Sequence, residues 1–230
     1  MPKHLNKLSE QLLLHVKLDK NVSEIRLELE CFDFKKLNNT LINDTQKKAF
    51  WINIYNAFYQ ILREKEKIDK QIIYKKKLFT IAGTIFSLDD VEHGILRRYR
   101  YKYSLGFIAN LFPPKIIKKL AVSKIDYRIH FALNCGAKSC PPIAFYTPLN
   151  IEEELNLATQ SFLESETDFH PDKKEIHTTV LFKWFLADFG GIKGIKSIFK
   201  TQLGKDISDY KIKYKEYSWE EDLANFRAEV

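Results

Sequence analysis

The stretch from Asn43 to Lys65 constrains the fold more than any other part of the chain. From Ala49 to Leu62, aromatic and aliphatic residues fall on every side of a 3.6-residue repeat, with Phe50, Trp51, Tyr55, Phe58 and Tyr59 among them. A helix that is apolar all round must be enclosed on all sides. The segment therefore predicts a buried central helix with the rest of the chain wrapped around it. Asn43 or Asp44 is the expected N-cap, and the charged run Arg63 to Lys67 marks the return to solvent. Asn53, Asn56 and Gln60 share one face at i, i+3 and i+7. Buried amides need partners, so these are expected to brace neighbouring loops or, less favoured, to bind a substrate carbonyl.

The flanking pattern is mixed. Leu5, Leu8, Leu12 and Val16, then Ile25, Leu29 and Phe32, predict two amphipathic helices within residues 4–34 that pack on the core. Residues 78–86, broken at Gly83, read as a short hairpin. Ser87 caps a predicted helix from Asp89 to Arg98, and Pro113-Pro114 opens another over 115–120. The apolar run Arg128 to Cys135 reads as a core strand that Pro141-Pro142 ends. A helix over Ile151–Leu163 follows, then a strand over Glu175–Leu181 running into a helix over Phe182–Phe189. Gly190-Gly191 stops that helix, and a further helix (Ile192–Leu203) and a late strand (Tyr210–Tyr217) complete the chain. The expected class is α+β: one helix-rich domain over residues 1–230 with a small mixed or antiparallel sheet.

Composition narrows the function. The chain has 230 residues, 45% of them hydrophobic, and a net charge of +7 supplied mainly by lysine. The lysine clusters read as solvated surface. No nucleic-acid-binding motif accompanies them, so nucleic acid is disfavoured as a partner. No apolar stretch is long enough to span a bilayer and no secretory leader pattern is present, so a cytoplasmic location is expected. Three cysteines, an odd number, argue against a disulfide scaffold and for a reducing setting.

Chemistry-bearing residues concentrate in two places. The segment Arg128 to Pro142 carries His130, Asn134, Cys135, Ser139 and Cys140. A thiol with an ordinary pKa of about 8.5 needs a basic partner to become a nucleophile near neutrality, and His130 and His93 are the candidates. Cys140, on a loop beside Ser139, is expected to be the better exposed of the two sulfurs. A redox disulfide is a weaker reading, because the spacing is not Cys-x-x-Cys. A zinc site of His93, His130, Cys135 and Cys140 matches no standard spacing. Against all three stands the plain reading of two buried cysteines packing as small hydrophobes. In the second place, Asp89, His93 and Arg97 fall at i, i+4 and i+8 with Asp90 and Gly94 beside them. Gly94 costs roughly 1 kcal/mol within a helix, which predicts that another backbone or a ligand passes close to it. A surface charge ladder is the alternative.

Three blocks together carry a resemblance: Phe50-Trp-Ile-Asn-Ile-Tyr-Asn-Ala57, Leu88-Asp-Asp-Val-Glu-His-Gly-Ile-Leu-Arg97, and Asp126 through Pro142. In this order they resemble the signature blocks of domain-of-unknown-function family 547, found in bacteria, plants and nematodes. The resemblance covers residues 40–200. It implies that the positions to trust are Asn53, Asn56, His93, Gly94, Arg97, His130, Asn134, Cys135, Ser139, Cys140 and Pro141; Tyr127 stands where the family often has proline. The resemblance names no reaction; from the residues themselves the expected activity is acyl transfer or hydrolysis on a small-molecule or peptide substrate, without a cofactor. Cys140 is the first candidate nucleophile and Cys135 the second. His93, oriented by Asp89 or Asp90, is the expected base, with His130 as alternative. Asn134, Asn53 or the N–H groups of residues 136–140 would hold an oxyanion, and Arg97 and Arg128 an anionic substrate group. The competing expectation is a non-catalytic ligand- or protein-binding module.

Overall fold

A computed structural model describes residues 2–227. Helices α1 (Pro2–Lys17), α2 (Ser23–Cys31) and α3 (Phe34–Thr40) precede the central helix α4 (Asp44–Gln60), which continues as a π-helical turn over Ile61–Lys65. Every residue of α4 from Lys48 to Gln60 is buried, as its all-round apolar pattern requires. Asn43 and Gln46 form a reciprocal capping box that fixes its start. Leu5, Leu8, Leu12, Leu13 and Val16 of α1 are buried, and α1 packs along α4. The short helix α3, not evident from periodicity, is capped by Asp33, which accepts from the Lys36 N–H at 2.8 Å.

Strands β1 (Phe79–Ile81) and β2 (Thr84–Phe86) pair as a hairpin. Its two-residue loop, Ala82-Gly83, has both φ values positive (50° and 68°), the twist that matches the flanking strands. The ring of Phe79 stacks on Phe58 of α4 at 4.2 Å. A helix then begins at Leu88 and runs as a π-helix over Asp90–Leu96. Ser87 Oγ accepts from the Asp90 N–H and Asp90 Oδ2 accepts from the Ser87 N–H, so Asp90 is spent on the cap. Helix α5 (Lys115–Leu120) follows Pro113-Pro114. Its Ile117 lies against Gly94, where an added Cβ would meet Ile117 Cγ2 at 3.0 Å. A side chain, rather than a backbone or a ligand, explains that glycine.

The expected strand over Arg128–Cys135 is not one. Residues Tyr127–Phe131 form a 3-10 turn capped by Asp126, and the chain to Cys135 is irregular. The reason lies on α4. The Asn56 amide donates to Ala132 O at 2.9 Å and accepts from Asn134 N at 2.9 Å, so one side chain supplies the pair of bonds that a neighbouring strand would offer. Asn53 treats Tyr146 in the same way, bonding its C=O at 2.8 Å and its N–H at 3.1 Å.

Helix α6 (Ile151–Glu166) leads to a three-stranded sheet of β3 (Asp168–His170), β4 (Glu175–Thr178) and β5 (Lys211–Tyr214). β3 and β4 are antiparallel and β4 and β5 parallel, so the sheet is mixed. The helix expected over Phe182–Phe189 shrinks to α7 (Leu181–Trp184) followed by turns, and α8 spans Gly191–Leu203. Phe131, Phe162, Phe182, Phe189 and Phe199 form a second buried cluster beside the one around α4. The class is helix-rich α+β. None of the helices among the described residues is long and apolar enough to cross a membrane.

Candidate functional site

The three blocks meet in one cavity of about 460 Å³. Tyr55 comes from α4, Glu92 and His93 from the π-helix, and His130, Leu133, Cys135, Cys140 and Pro141 from the irregular third block. Lys102, Tyr103 and Leu105 form one side of its wall, and Leu181, Trp184, Phe185, Tyr217 and Trp219 another.

Beneath it lies a chain of charge. Arg97, fully buried, donates from Nε to Asp188 Oδ2 at 2.6 Å and from Nη1 to His93 Nδ1 at 2.9 Å. Its guanidinium lies over the Phe185 ring at 4.6 Å. The same Asp188 oxygen accepts from His130 Nε2 at 2.9 Å, and His130 stacks on Phe185 at 3.9 Å. Burial alone would raise the Asp188 carboxyl, but the bonds from His130 and Arg97 outweigh it and hold it at about 2. Burial lowers His93, opposed by Glu92 and reinforced by Arg97, and it also lowers His130 despite the pull of Asp188. Both imidazoles are therefore neutral near pH 7.

The partners fix the tautomers. His93 accepts from Arg97 at Nδ1, so its proton sits on Nε2, which has no hydrogen-bond partner among the described residues. Asp89 Oδ1 is 3.7 Å away, too far for a hydrogen bond, and is held by Lys102 at 2.9 Å. His130 donates through Nε2, which leaves the lone pair on Nδ1. Of the two rings, His130 is the one able to take a proton. Glu92 accepts from Tyr55 OH at 3.2 Å. Burial would raise its carboxyl, but its neighbours, His93 first and then the Arg97 cation, outweigh burial and hold it below its ordinary value.

The sulfurs are not the free thiols that the favoured expectation had: Cys135 and Cys140 are joined in a disulfide, the pairing that the weaker reading allowed, and the third cysteine, Cys31, is free and exposed. The expected order of exposure is also reversed. Cys140 is buried, whereas Cys135 is partly exposed. The Cys135 N–H points at Cys140 Sγ at 3.0 Å, and Tyr217 OH lies 3.1 Å from each sulfur. The loop between them is pinned throughout. Asn134 donates to Pro141 O and accepts from Gly136 N, both at 2.8 Å, and Ser139 Oγ accepts from Ser218 N at 2.9 Å. Gly136 has φ +65°, and a Cβ there would meet Tyr59 Cε1 at 2.5 Å.

Several expected roles fall away. The Asn53 and Asn134 amides donate to backbone carbonyls, the Gly136 N–H to Asn134 Oδ1, and the N–H groups of Lys138, Ser139 and Cys140 to backbone carbonyls, which removes them as oxyanion donors. Arg97 is sealed off from the cavity. Arg128 belongs to a separate cluster with Asp126, Glu152, Asn156 and Lys48. Among the described residues no three His, Cys, Asp or Glu side chains gather as metal ligands, so the four residues of the zinc reading do not form a ligand set. The sequence blocks gave no sign of Asp188, Tyr217, Trp184 or Trp219. Three buried polar atoms without partners among the described residues, Arg97 Nη2, His93 Nε2 and Asp188 Oδ1, fall in this one cluster. Such orphans are rare in folded proteins and tend to mark functional sites.

The cysteines and histidines of this arrangement, though not Asp188, Trp184, Tyr217 or Trp219, lie in the segment that a family model matches. The model of the family described as protein of unknown function, DUF547, matches residues 39–163. The chain belongs to DUF547. No curated protein and no solved structure matches it.

Proposed function

We propose that the cavity is a thiol-dependent catalytic site for acyl transfer or hydrolysis, active once the Cys135–Cys140 disulfide is reduced. The supporting observation is that both sulfurs and both imidazoles line one cavity. A dithiol reductant supplies two electrons and two protons and releases two thiols. Cys135, the more accessible, is the nucleophile. His130, held from behind by Asp188, takes its proton at Nδ1. Sulfur adds to the substrate carbonyl, and the leaving group departs with that proton. Water or an amine then releases the acyl group. The Nε2–H of neutral His93, a wall residue of the cavity, has no partner among the described residues but is sealed from solvent, so it would serve the oxyanion only once bound substrate opens that wall.

Alkylation of the reduced protein by iodoacetamide tests this. Cys135 is expected to react at neutral pH about tenfold faster than in His130→Gln, and Cys140→Ser is expected to keep turnover of a thioester probe. Equal alkylation rates in the two proteins would overturn the reading. The disulfide itself favours a second reading, thiol–disulfide exchange, in which an incoming thiolate bonds Cys135 Sγ and Cys140 leaves, stabilised by the Cys135 N–H. Exchange requires both cysteines, whereas acyl transfer survives loss of Cys140.

A further inference from the structure

One wall of the cavity continues into a surface feature that the chemistry above does not use. Residues 99–110 form a hydrogen-bonded finger: Asn110 N donates to Tyr99 O at 2.7 Å, Tyr101 N to Ile108 O at 2.9 Å, and Arg100 bridges Ala109. Ser104 Oγ donates to Tyr101 O and accepts from Ile108 N across its tip. The finger is tied to the body where Ala187 N donates to Leu105 O at 2.9 Å. The finger is therefore ordered, yet apolar side chains project from it and from the residues after it. Tyr103 is 81% exposed, Phe107 63%, Ile108 58%, Leu111 82% and Phe112 89%. Single exposed apolar residues are ordinary, but a contiguous set marks an interaction surface.

Charge identifies the occupant. From Arg97 to Ile125 the sequence has eight Lys and Arg and no Asp or Glu. Arg97 and Lys102 are matched by Asp188 and Asp89. Arg98, Lys115, Lys118 and Lys119 are exposed and have no carboxylate partner among the described residues. Apolar projections set among unpaired cations, with Tyr99, Tyr101 and Tyr103 along the finger, fit a surface that is hydrocarbon inside and anionic outside. We propose that residues 99–119 dock this protein on an anionic lipid bilayer, with Phe107, Ile108, Leu111 and Phe112 entering the acyl boundary. Tyr103 and Leu105 belong both to the finger and to the cavity wall, so docking sets the cavity mouth at the level of the headgroups. The proposal does not depend on the thiol chemistry.

The test is co-sedimentation of the full chain, disulfide intact, with vesicles of phosphatidylcholine alone or containing roughly a third phosphatidylglycerol. Binding is expected only to the anionic vesicles and should weaken with salt. Replacing Leu111 and Phe112 by Ser is expected to weaken it at least about tenfold. Replacing Lys118 and Lys119 by Glu should weaken it about as much. Both pairs are exposed, and an unchanged melting temperature shows that the variants are folded. Equal binding to both vesicle types would overturn the proposal, as would undiminished binding of the Ser variant. So would a wild-type dimer that the Ser variant dissolves without any vesicle binding, because the occupant would then be a second copy of the chain. Failure here leaves the alkylation result standing, and failure of alkylation leaves vesicle binding intact.

Discussion

Replacing Asp188 by Asn tests the charge chain beneath the cavity. The substitution keeps the shape and removes the charge. Two routes give its cost. A carboxyl held at about 2 rather than its ordinary 3.8 carries about 2 kcal/mol of folding stability at neutral pH. The sign follows from the direction: the contribution is full above the unfolded value and is lost as pH falls through about 2. The second route counts what is left behind. Arg97 has no exposed surface, and its Nε–Oδ2 contact of 2.6 Å is its one ion pair among the described residues. Breaking a buried pair from one side costs about 3–5 kcal/mol. The second estimate governs, because the stranded guanidinium stays sealed from water. For a chain of this size that corresponds to roughly 6–20 °C in melting temperature. The assay is thermal and urea unfolding of four proteins: wild type, Asp188→Asn, Arg97→Met and the double variant. The double variant should be more stable than Asp188→Asn alone, with a coupling of at least about 1 kcal/mol. A melting temperature for Asp188→Asn within about 2 °C of wild type, or strictly additive single effects, would refute the reasoning.

Three further outcomes follow from the same geometry. Because burial lowers both His93 and His130, the unfolded chain binds protons there before the folded one does; the urea midpoint should fall as pH drops below about 6.5, and a flat midpoint from about pH 8 to about pH 5 contradicts this. Gly83→Ala and Gly136→Ala both force a side chain onto a positive φ, but only Gly136 meets Tyr59 and Leu223. The first should cost about 1 kcal/mol and the second about 1–3 kcal/mol more, and equal losses in urea would show the contact to be irrelevant. Asn56→Ala strands Ala132 O and Asn134 N and should cost about 2–4 kcal/mol; a loss of under about 1 kcal/mol in chemical denaturation argues against the strand-mimic role.

Helix α4 was legible because a burial pattern on all sides leaves a helix no other place, and its Asn43 cap and the Gly83 hairpin turn were legible because local chemistry specifies them. The segment Arg128–Cys135 misled because a short apolar run reads equally as strand or turn. What decided it was Asn56, some seventy residues earlier, standing in for a strand neighbour. The disulfide was hidden for a related reason. A count of cysteines says nothing about the Cα–Cα distance of 6.1 Å that the loop creates. Asp188 was invisible because Ala187-Asp188-Phe189-Gly190-Gly191 reads as an ordinary helix stop. Only folding brings its carboxylate under His130 and Arg97.

The cavity has two sources. Sulfur and imidazole come from the stretch matched to the family, residues 39–163, whereas Leu181, Trp184, Phe185, Tyr217 and Trp219 come from the chain beyond it. Reactive groups and fitting surface can therefore diverge separately. A change confined to Trp184, Tyr217 or Trp219 alters which molecules the cavity admits and leaves its cysteines and histidines in place, whereas Asp188, also downstream, ties His130 to that collar.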